Sequence, residues 1–194
     1  MTNIDILFQC TGIIILLSFY GIYFIKMALQ RRKGIRTDQI ARGEKSKNLW
    51  ITEVVMKIAT FAIVVVELAS ILLNTGSHHN ALRVTGAVFG IVGVTLFGIA
   101  VYTMKDSWRA GIPETDKTEL VTTGIFKFSR NPAFLAFDLV YIAILLMFFN
   151  WMLLTVSLFC IIMLHLQIKQ EEQFLLRTFG EKYANYKKKT RRYI

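Results

Sequence analysis

Charged residues, prolines and cysteines are all scarce in this chain. Of its 194 residues, 19% are charged and 54% are hydrophobic, and there are only 2 prolines and 2 cysteines. A soluble globular domain has about 25% charged and about 45–50% apolar residues, so this chain is too apolar to be one. The same composition excludes intrinsic disorder. Two cysteines cannot build a disulfide scaffold, and because Cys10 and Cys160 lie in apolar runs we expect both to be reduced and buried.

The chain also lacks the sequence motifs of soluble cofactor-binding domains. Neither GxGxxG nor GxxxxGK[ST] occurs, and the polar segments between apolar runs are too short to form a separate Rossmann domain. Any soluble cofactor must therefore be held where these segments meet the ends of the helices. His78 and His79 are adjacent, and chain neighbours do not easily bind one metal ion together, so we expect no metal site.

Long apolar runs predict an all-α, polytopic integral membrane protein. A bilayer core of about 30 Å needs a helix of about 20 apolar residues, and three runs meet that length. A fourth apolar region, Pro132–Leu166, is too long for one span and slightly short for two. Asn150 and Trp151 in its middle are typical of a polar turn at the interface, which indicates a hairpin. We thus predict a single membrane-embedded domain over residues 1–194, with a C-terminal cytoplasmic helix after five transmembrane helices at about 5–27, 50–73, 83–104, 133–149 and 151–167.

The basic residues predict how these spans are oriented. Twenty of the 23 Lys and Arg residues lie in three segments, 30–49, 105–131 and 168–192. With five spans, all three segments face one side, and the positive-inside rule makes that side cytoplasmic and places the N-terminus outside. With four spans, the basic C-terminal tail would lie on the opposite side of the membrane from the other two basic segments, and the positive-inside rule would not hold. Topology and attraction to anionic membrane lipids thus account for the net charge of +10, and we expect no nucleic-acid partner.

Three charged residues and a row of glycines interrupt the apolar runs. Glu53 and Lys57 are one helical turn apart and are expected to pair at the membrane boundary. Glu67 lies deeper, and because an intramembrane carboxylate is costly it should face the bundle interior or the far interface. Small residues let helices approach closely in lipid, so we expect close packing along Gly86, Gly90, Gly93 and Gly98.

The segment after the last span carries polar residues at helical spacing. Gln167 and Glu171 are four residues apart and project from one face of the continuing helix, which Gly180 should break. Adjacent helical residues point about 100° apart, so Glu171 and Glu172 cannot share one role. We expect Glu171 to face the bundle, and Glu172 to turn toward Arg130, the basic loop or solvent. A solvated helix surface is the alternative for both.

Arg130, Asn131 and Pro132 precede or begin the fourth span. Proline is favoured in the first turn of a helix, where its missing N–H costs nothing. The free backbone N–H groups of a helix start, together with the Arg130 guanidinium, can hold a carboxylate. A capped helix with an interfacial arginine explains the same residues equally well.

Two strings resemble the C-terminal signature of the isoprenylcysteine carboxyl methyltransferases and the related phospholipid methyltransferases. They are ELVTTGIFKFSRNPAFLAF and QEEQFLLRTFGEKYANYKKKTRR. The family signature runs LVT-x-G-x-Y, Arg-His-Pro-x-Tyr, Glu-Glu and Phe-Gly-x-x-Tyr-x-x-Tyr, and the spacing is kept from Leu120 to Arg192. The chain is most similar to the small prokaryotic members, which are five-span proteins.

The resemblance implies S-adenosylmethionine as methyl donor, bound at the cytosolic membrane surface by residues 105–134 and 165–192, with S-adenosylhomocysteine as product. It implies a catalytic set of Arg130, Gln167 and Glu171, in which Gln167 stands where an arginine contacts the substrate carboxylate in the eukaryotic enzymes. Asn131 replaces the usual histidine, and Phe126 and Phe134 replace tyrosines. The implied cofactor-binding residues are Thr118, Glu119, Leu120, Val121, Phe126, Asn131, Pro132, Ala133, Phe134, Glu171 and Glu172.

The expected function is methyl transfer to a lipid-like or prenylated acceptor, and the acceptor's identity stays open. Transfer from a sulfonium needs in-line positioning more than acid–base groups, so the absence of a catalytic triad motif is no objection. A membrane reductase of the sterol reductase type, which would use NADPH, is one alternative. A non-enzymatic small membrane protein is the other.

Overall fold

The computed structural model describes residues 2–76, 79–112 and 118–194, and across these ranges the chain is helical. Extended pairing in the described ranges is limited to two isolated bridges, so the predicted all-α class is confirmed. His78, one of the two adjacent histidines, lies outside the described residues. The helices are α1 Asn3–Arg32, α2 Lys47–Leu72, α3 Asn80–Met104, α4 Pro132–Met147, α5 Trp151–Phe179 and α6 Glu181–Lys189, with short 3₁₀ turns at Lys105–Ser107 and Gly124–Lys127.

Four of the described helices are long and apolar enough to cross a membrane: α1, α2, α3 together with the turn that follows it, and α5. The predicted hairpin is present, because α4 ends at Met147 and α5 begins at Trp151. However, α4 has only 16 residues, which at 1.5 Å per residue is about 24 Å. The chain therefore has a multi-pass membrane architecture in which α4 is the short member.

Local sequence determines where the helices begin and end. Thr2 and Asp5 form a capping box that starts α1, and the Asn150 side chain caps the first turn of α5. Pro132 occupies the first turn of α4, as predicted. The predicted break at Gly180 is also confirmed, since α5 stops there and the residue has a φ of +52°, a conformation that favours glycine.

Three glycines of α3, Gly86, Gly90 and Gly93, let the neighbouring helices approach closely, as expected, whereas Gly98 has only an ordinary contact with Ile22. A Cβ atom on Gly86 would lie 2.6 Å from the carbonyl oxygen of Ala143, and one on Gly93 would lie 3.0 Å from Val140. Gly90 faces α1 at a similarly short distance. The short helix α4 is thus held tightly against α3 by backbone proximity.

The three basic segments meet at one end of the bundle, which we call the basic end. Lys33 forms an ion pair with Asp106 at 2.8 Å, and a backbone bridge joins Ser129 to Arg191 in the tail. Cys160 is buried as expected, but the same expectation for Cys10 is wrong, because this residue is exposed on α1. An apolar run does not show which face of a helix points into the bundle.

A fully buried arginine holds the opposite end together. Arg83 on α3 donates to Asp5 Oδ1 at 2.8 Å, to Asn74 Oδ1 at 2.6 Å and to the carbonyl oxygen of Met147 at 3.2 Å. Its guanidinium carbon lies 5.2 Å from the ring centroid of Phe8. Helices α1, α3 and α4 and the chain after α2 therefore share one polar junction.

Replacing Arg83 with leucine should destabilise the protein strongly. The substitution removes the guanidinium from Asp5 Oδ1 and from the side-chain carbonyl of Asn74 and the backbone carbonyl of Met147, and breaking a buried ion pair by removing one partner costs about 3–5 kcal/mol. Thermal unfolding of the purified chain in detergent measures the effect. Arg177→Leu, on an exposed position of α5, is the matched control, and equal midpoints for the two variants would contradict a stabilising role for Arg83.

Candidate functional site

A cavity of about 1140 Å³ opens at the basic end. Its inner part lies between α1 and α2 and is lined by apolar side chains, among them Leu16, Phe24 and Val64. Its outer part is lined by the chain around the start of α4, by the cavity-facing side of α5 and by α6. The cavity thus has an apolar chamber and a polar mouth, which are continuous with each other.

The residues selected from the sequence come together at the polar mouth. Of the 13 residues implied by the family resemblance, 12 line the cavity, and Glu172 does not. They come from two stretches that are distant in sequence: the segment that leads into the first turn of α4, and the middle of α5. The 12 residues are Thr118, Glu119, Leu120, Val121, Phe126, Arg130, Asn131, Pro132, Ala133, Phe134, Gln167 and Glu171.

Gln167 and Glu171 project from the same face of α5 into the cavity, as their spacing predicts. Gln167 is 0% exposed to solvent, and its Nε2 atom donates to Glu171 Oε1 at 3.3 Å. The amide oxygen of Gln167 has no hydrogen-bond partner among the described residues. No Lys or Arg of the described chain forms an ion pair with Glu171, which leaves a half-buried carboxylate facing the mouth of the cavity.

Glu172 has a different environment, as its direction on the helix predicts. Its Oε1 atom accepts a hydrogen bond from Arg130 Nη2 at 2.6 Å, and its Oε2 atom accepts one from Arg192 Nη2 at 2.8 Å. Arg130 also donates to the carbonyl oxygen of Thr190 at 2.5 Å. These contacts confirm that Glu172 turns toward Arg130, and they join the start of α4 to α5 and to the C-terminal tail.

The Arg130 guanidinium is therefore engaged by protein groups at the edge of the cavity. Of the two explanations open from the sequence, a ligand-binding arginine and a structural interfacial one, these hydrogen bonds favour the second. The backbone N–H groups of Ala133 and Phe134 lie in the first turn of α4, where no helical carbonyl precedes them to accept. The helix start rather than the guanidinium is thus the group suited to a ligand carboxylate.

Two tyrosines of α6, Tyr183 and Tyr186, complete the wall of the mouth, although neither was among the site residues expected from the sequence. The Tyr186 hydroxyl donates to the carbonyl oxygen of Phe126 at 2.6 Å. Burial raises the pKa of Tyr183 to about 12, so its hydroxyl is neutral at physiological pH. The spacing of aromatic residues in the tail was the signal for this wall.

Glu53 organises the loops above the cavity, and the expectation that it pairs with Lys57 is wrong. Its carboxylate accepts from Ala41 N at 2.6 Å, from Lys45 Nζ at 2.6 Å and from Ile112 N at 3.1 Å. Lys57 instead forms an ion pair with Asp38 at 3.2 Å. Helical spacing predicted a pair between Glu53 and Lys57. Instead, the loop before α2 folds back and gives Glu53 a buried ammonium and one backbone donor, and the segment after α3 supplies the second backbone donor.

Glu67 faces the bundle interior, one of the two positions expected for it. It is 0% exposed, and neither carboxylate oxygen has a hydrogen-bond partner among the described residues. It does not line the cavity, so it takes no part in the site.

The comparison with protein families agrees with this geometry. The model of the isoprenylcysteine carboxyl methyltransferase (ICMT) family matches residues 84–177. The matched region contains most of α3, the mouth residues before and within α4, and Gln167 and Glu171 on α5. No curated protein matches the chain. The match confirms the resemblance expected from the sequence motifs: residues 84–177 are similar to the isoprenylcysteine carboxyl methyltransferase family.

Proposed function

We propose that this chain transfers a methyl group from S-adenosylmethionine to a lipid-like or prenylated acceptor within the membrane. The observation that carries the proposal is one continuous cavity, in which residues suited to the donor line a polar mouth and an apolar chamber continues inward. A methyltransferase with a lipid acceptor needs both environments side by side. The family match over residues 84–177 supports the reaction type.

The residues of the mouth fit the methyl donor. The Glu171 carboxylate has no cationic partner among the described residues, so it suits the donor's ammonium group or ribose hydroxyls. The free N–H groups of Ala133 and Phe134 suit the donor's carboxylate. The donor supplies an activated methyl group, and the task of the chain is to hold the two reactants in line and to exclude water. Glu172 and Arg130 maintain the shape of the mouth.

The acceptor's apolar body fits the inner chamber and can enter from the lipid. Leu17 and Phe24 on α1, and Phe61 on α2, line the cavity and are also 69%, 56% and 74% exposed. Side chains that line a cavity and are also exposed on the outer surface mark an opening in its wall. The opening lies between α1 and α2, on the lipid-facing surface of the bundle. Lateral entry also explains why the enzyme is embedded in the membrane.

We further propose five spans, in which the short helix α4 is the fourth crossing and α5 the fifth, with the N-terminus outside and the C-terminus in the cytoplasm. Although α4 is short, its two ends contact opposite ends of the bundle. Asn131 donates to the carbonyl oxygen of Arg192 at 3.1 Å, whereas the Met147 carbonyl accepts from Arg83 at 3.2 Å. The positive-inside rule then places the basic end in the cytoplasm.

Reporter fusions test this topology. We expect a reporter at the N-terminus to be active only outside and one at the C-terminus only in the cytoplasm, because an odd number of spans separates them. A reporter within the loop at residues 33–46 is the control and should behave like the C-terminal one. Both termini on the same side would contradict five spans.

Calorimetry with S-adenosylhomocysteine tests the donor site. Glu171→Gln should weaken binding to the detergent-solubilised chain about ten- to a hundredfold, because a hydrogen bond to a charged group in a shielded site is worth about 1.5–3 kcal/mol. Glu172→Gln should cost less affinity, since that carboxylate bonds to protein arginines.

Glu181→Gln, on an exposed position of α6, is the matched control and should bind like the wild type. Each variant must first give the wild-type elution profile. Equal and negligible losses for Glu171→Gln and Glu181→Gln would show that Glu171 is merely a solvated residue. Binding of NADPH without binding of S-adenosylhomocysteine would favour the reductase alternative.

A further inference from the structure

A second cavity, of about 790 Å³, lies beside the mouth at the basic end. Its walls come from α6 and from the chain between residue 118 and Lys127. Three lysines border this cavity, Lys127, Lys182 and Lys189, and we call it the lysine groove. Residues 118–120 and Tyr186 line both cavities. The groove and the mouth are therefore neighbours that share part of their walls.

Helical spacing turns one face of α6 toward the lysine groove. Four residues of α6 line it at the spacing i, i+3, i+4 and i+7, which places side chains on one side of a helix. They are Lys182, Asn185, Tyr186 and Lys189. Tyr183 points about 100° away from Lys182, and it lines the mouth but not the groove. Helix α6 thus separates the two cavities and directs two of its lysines to the groove.

The polar side chains of the groove include several hydrogen-bond donors without partners. The ammonium groups of Lys127, Lys182 and Lys189 form no ion pair or hydrogen bond with the described residues. Other basic side chains of the same end do find partners, as Arg130 does with Glu172. Among the described residues of the lining, Glu119 is the only acidic one. Three lysines against one glutamate leave two excess positive charges around the groove.

This arrangement of charges favours an anion. Three ammonium groups around one cavity repel one another, and an anion between them relieves that repulsion. A phosphate group can accept charge-assisted hydrogen bonds from more than one ammonium group, and lysine is a common phosphate-binding residue in proteins. The Thr122 hydroxyl also lines the groove and can donate to a phosphate oxygen.

Apolar side chains lie next to the lysines. Leu120 and Phe179, both half-buried, line the groove together with the three ammonium groups. An amphiphile that carries a phosphate beside an apolar body can contact both kinds of side chain. Membrane lipids have this chemistry, and the groove lies at the end of the bundle where the basic segments meet.

We propose that the lysine groove binds a phosphate group, carried by the headgroup of an anionic lipid or present as free phosphate. The proposal goes beyond the proposed function, because it depends on neither the methyl donor nor the acceptor. Basic residues close to a membrane attract anionic headgroups. The groove gives this attraction a defined place, between α6 and the chain that leads to Lys127.

Calorimetry on the full chain in an uncharged detergent tests the site. The probes are dihexanoylphosphatidylglycerol, which is anionic, and dihexanoylphosphatidylcholine, which has the same acyl chains and no net charge. We expect the wild type to bind the anionic lipid at least about tenfold more tightly. The double variant Lys182→Gln/Lys189→Gln should bind it about ten- to thirtyfold more weakly, because each lysine near an anionic lipid is worth about a fivefold gain in affinity.

A matched double variant removes the same charge elsewhere. Lys169→Gln/Lys188→Gln changes two exposed lysines that do not line the groove, and it should bind the anionic lipid like the wild type. Both double variants must first give the wild-type elution profile. Competition with inorganic phosphate separates the two sources of the ligand. Displacement of the lipid at a similar concentration identifies free phosphate, and displacement only at a tenfold or higher concentration identifies the lipid headgroup.

Three outcomes overturn the proposal. Failure of both the anionic lipid and inorganic phosphate to bind the wild type contradicts a phosphate site. Equal affinities for the anionic and the zwitterionic lipid show that the phosphate charge is not recognised. Equal losses in the two double variants show attraction to the whole basic surface rather than binding in the groove.

Discussion

The polar end of the cavity depends on the carboxylate of Glu172. This side chain is 4% exposed and lies between the guanidinium groups of Arg130 and Arg192. A buried carboxylate is tolerated only when charged and hydrogen-bonding partners surround it. Because those partners belong to the start of α4 and to the tail, satisfying one charge also fixes three segments. Glu172 therefore determines the shape of the mouth through its arginine partners, although its own side chain does not line the cavity.

A second buried carboxylate performs the same task on the other side of the mouth. Glu53 gathers Lys45 and two backbone N–H groups from separate loops. The loops near it have no regular secondary structure of their own, so their backbone groups need partners of this kind. The two glutamates leave Glu171 as the carboxylate of α5 that faces the cavity without a cationic partner in the described chain, which is the condition for binding a ligand cation.

Much of this architecture could be predicted from the sequence because lipid imposes simple rules. The lengths of the apolar runs predicted the long helices. Pro132 and Gly180 predicted the start of one helix and the end of another, and the glycines of α3 predicted its close contact with a neighbouring helix. Helical direction alone separated Glu171 from Glu172. The partners of Glu53 and Lys57 were not predictable, because they depend on how irregular loops fold back. The exposed position of Cys10 was missed because hydropathy does not distinguish a lipid-facing surface from a buried one.

The central claim is that the polar mouth holds the methyl donor while the apolar chamber holds the acceptor. A structure of the full chain determined with saturating S-adenosylhomocysteine tests it most directly. The account predicts ligand density between Thr118–Val121, the first turn of α4 and Glu171, with the sulfur directed toward the depth of Gln167. Ligand density elsewhere on the protein, with this mouth filled only by solvent, would contradict the account.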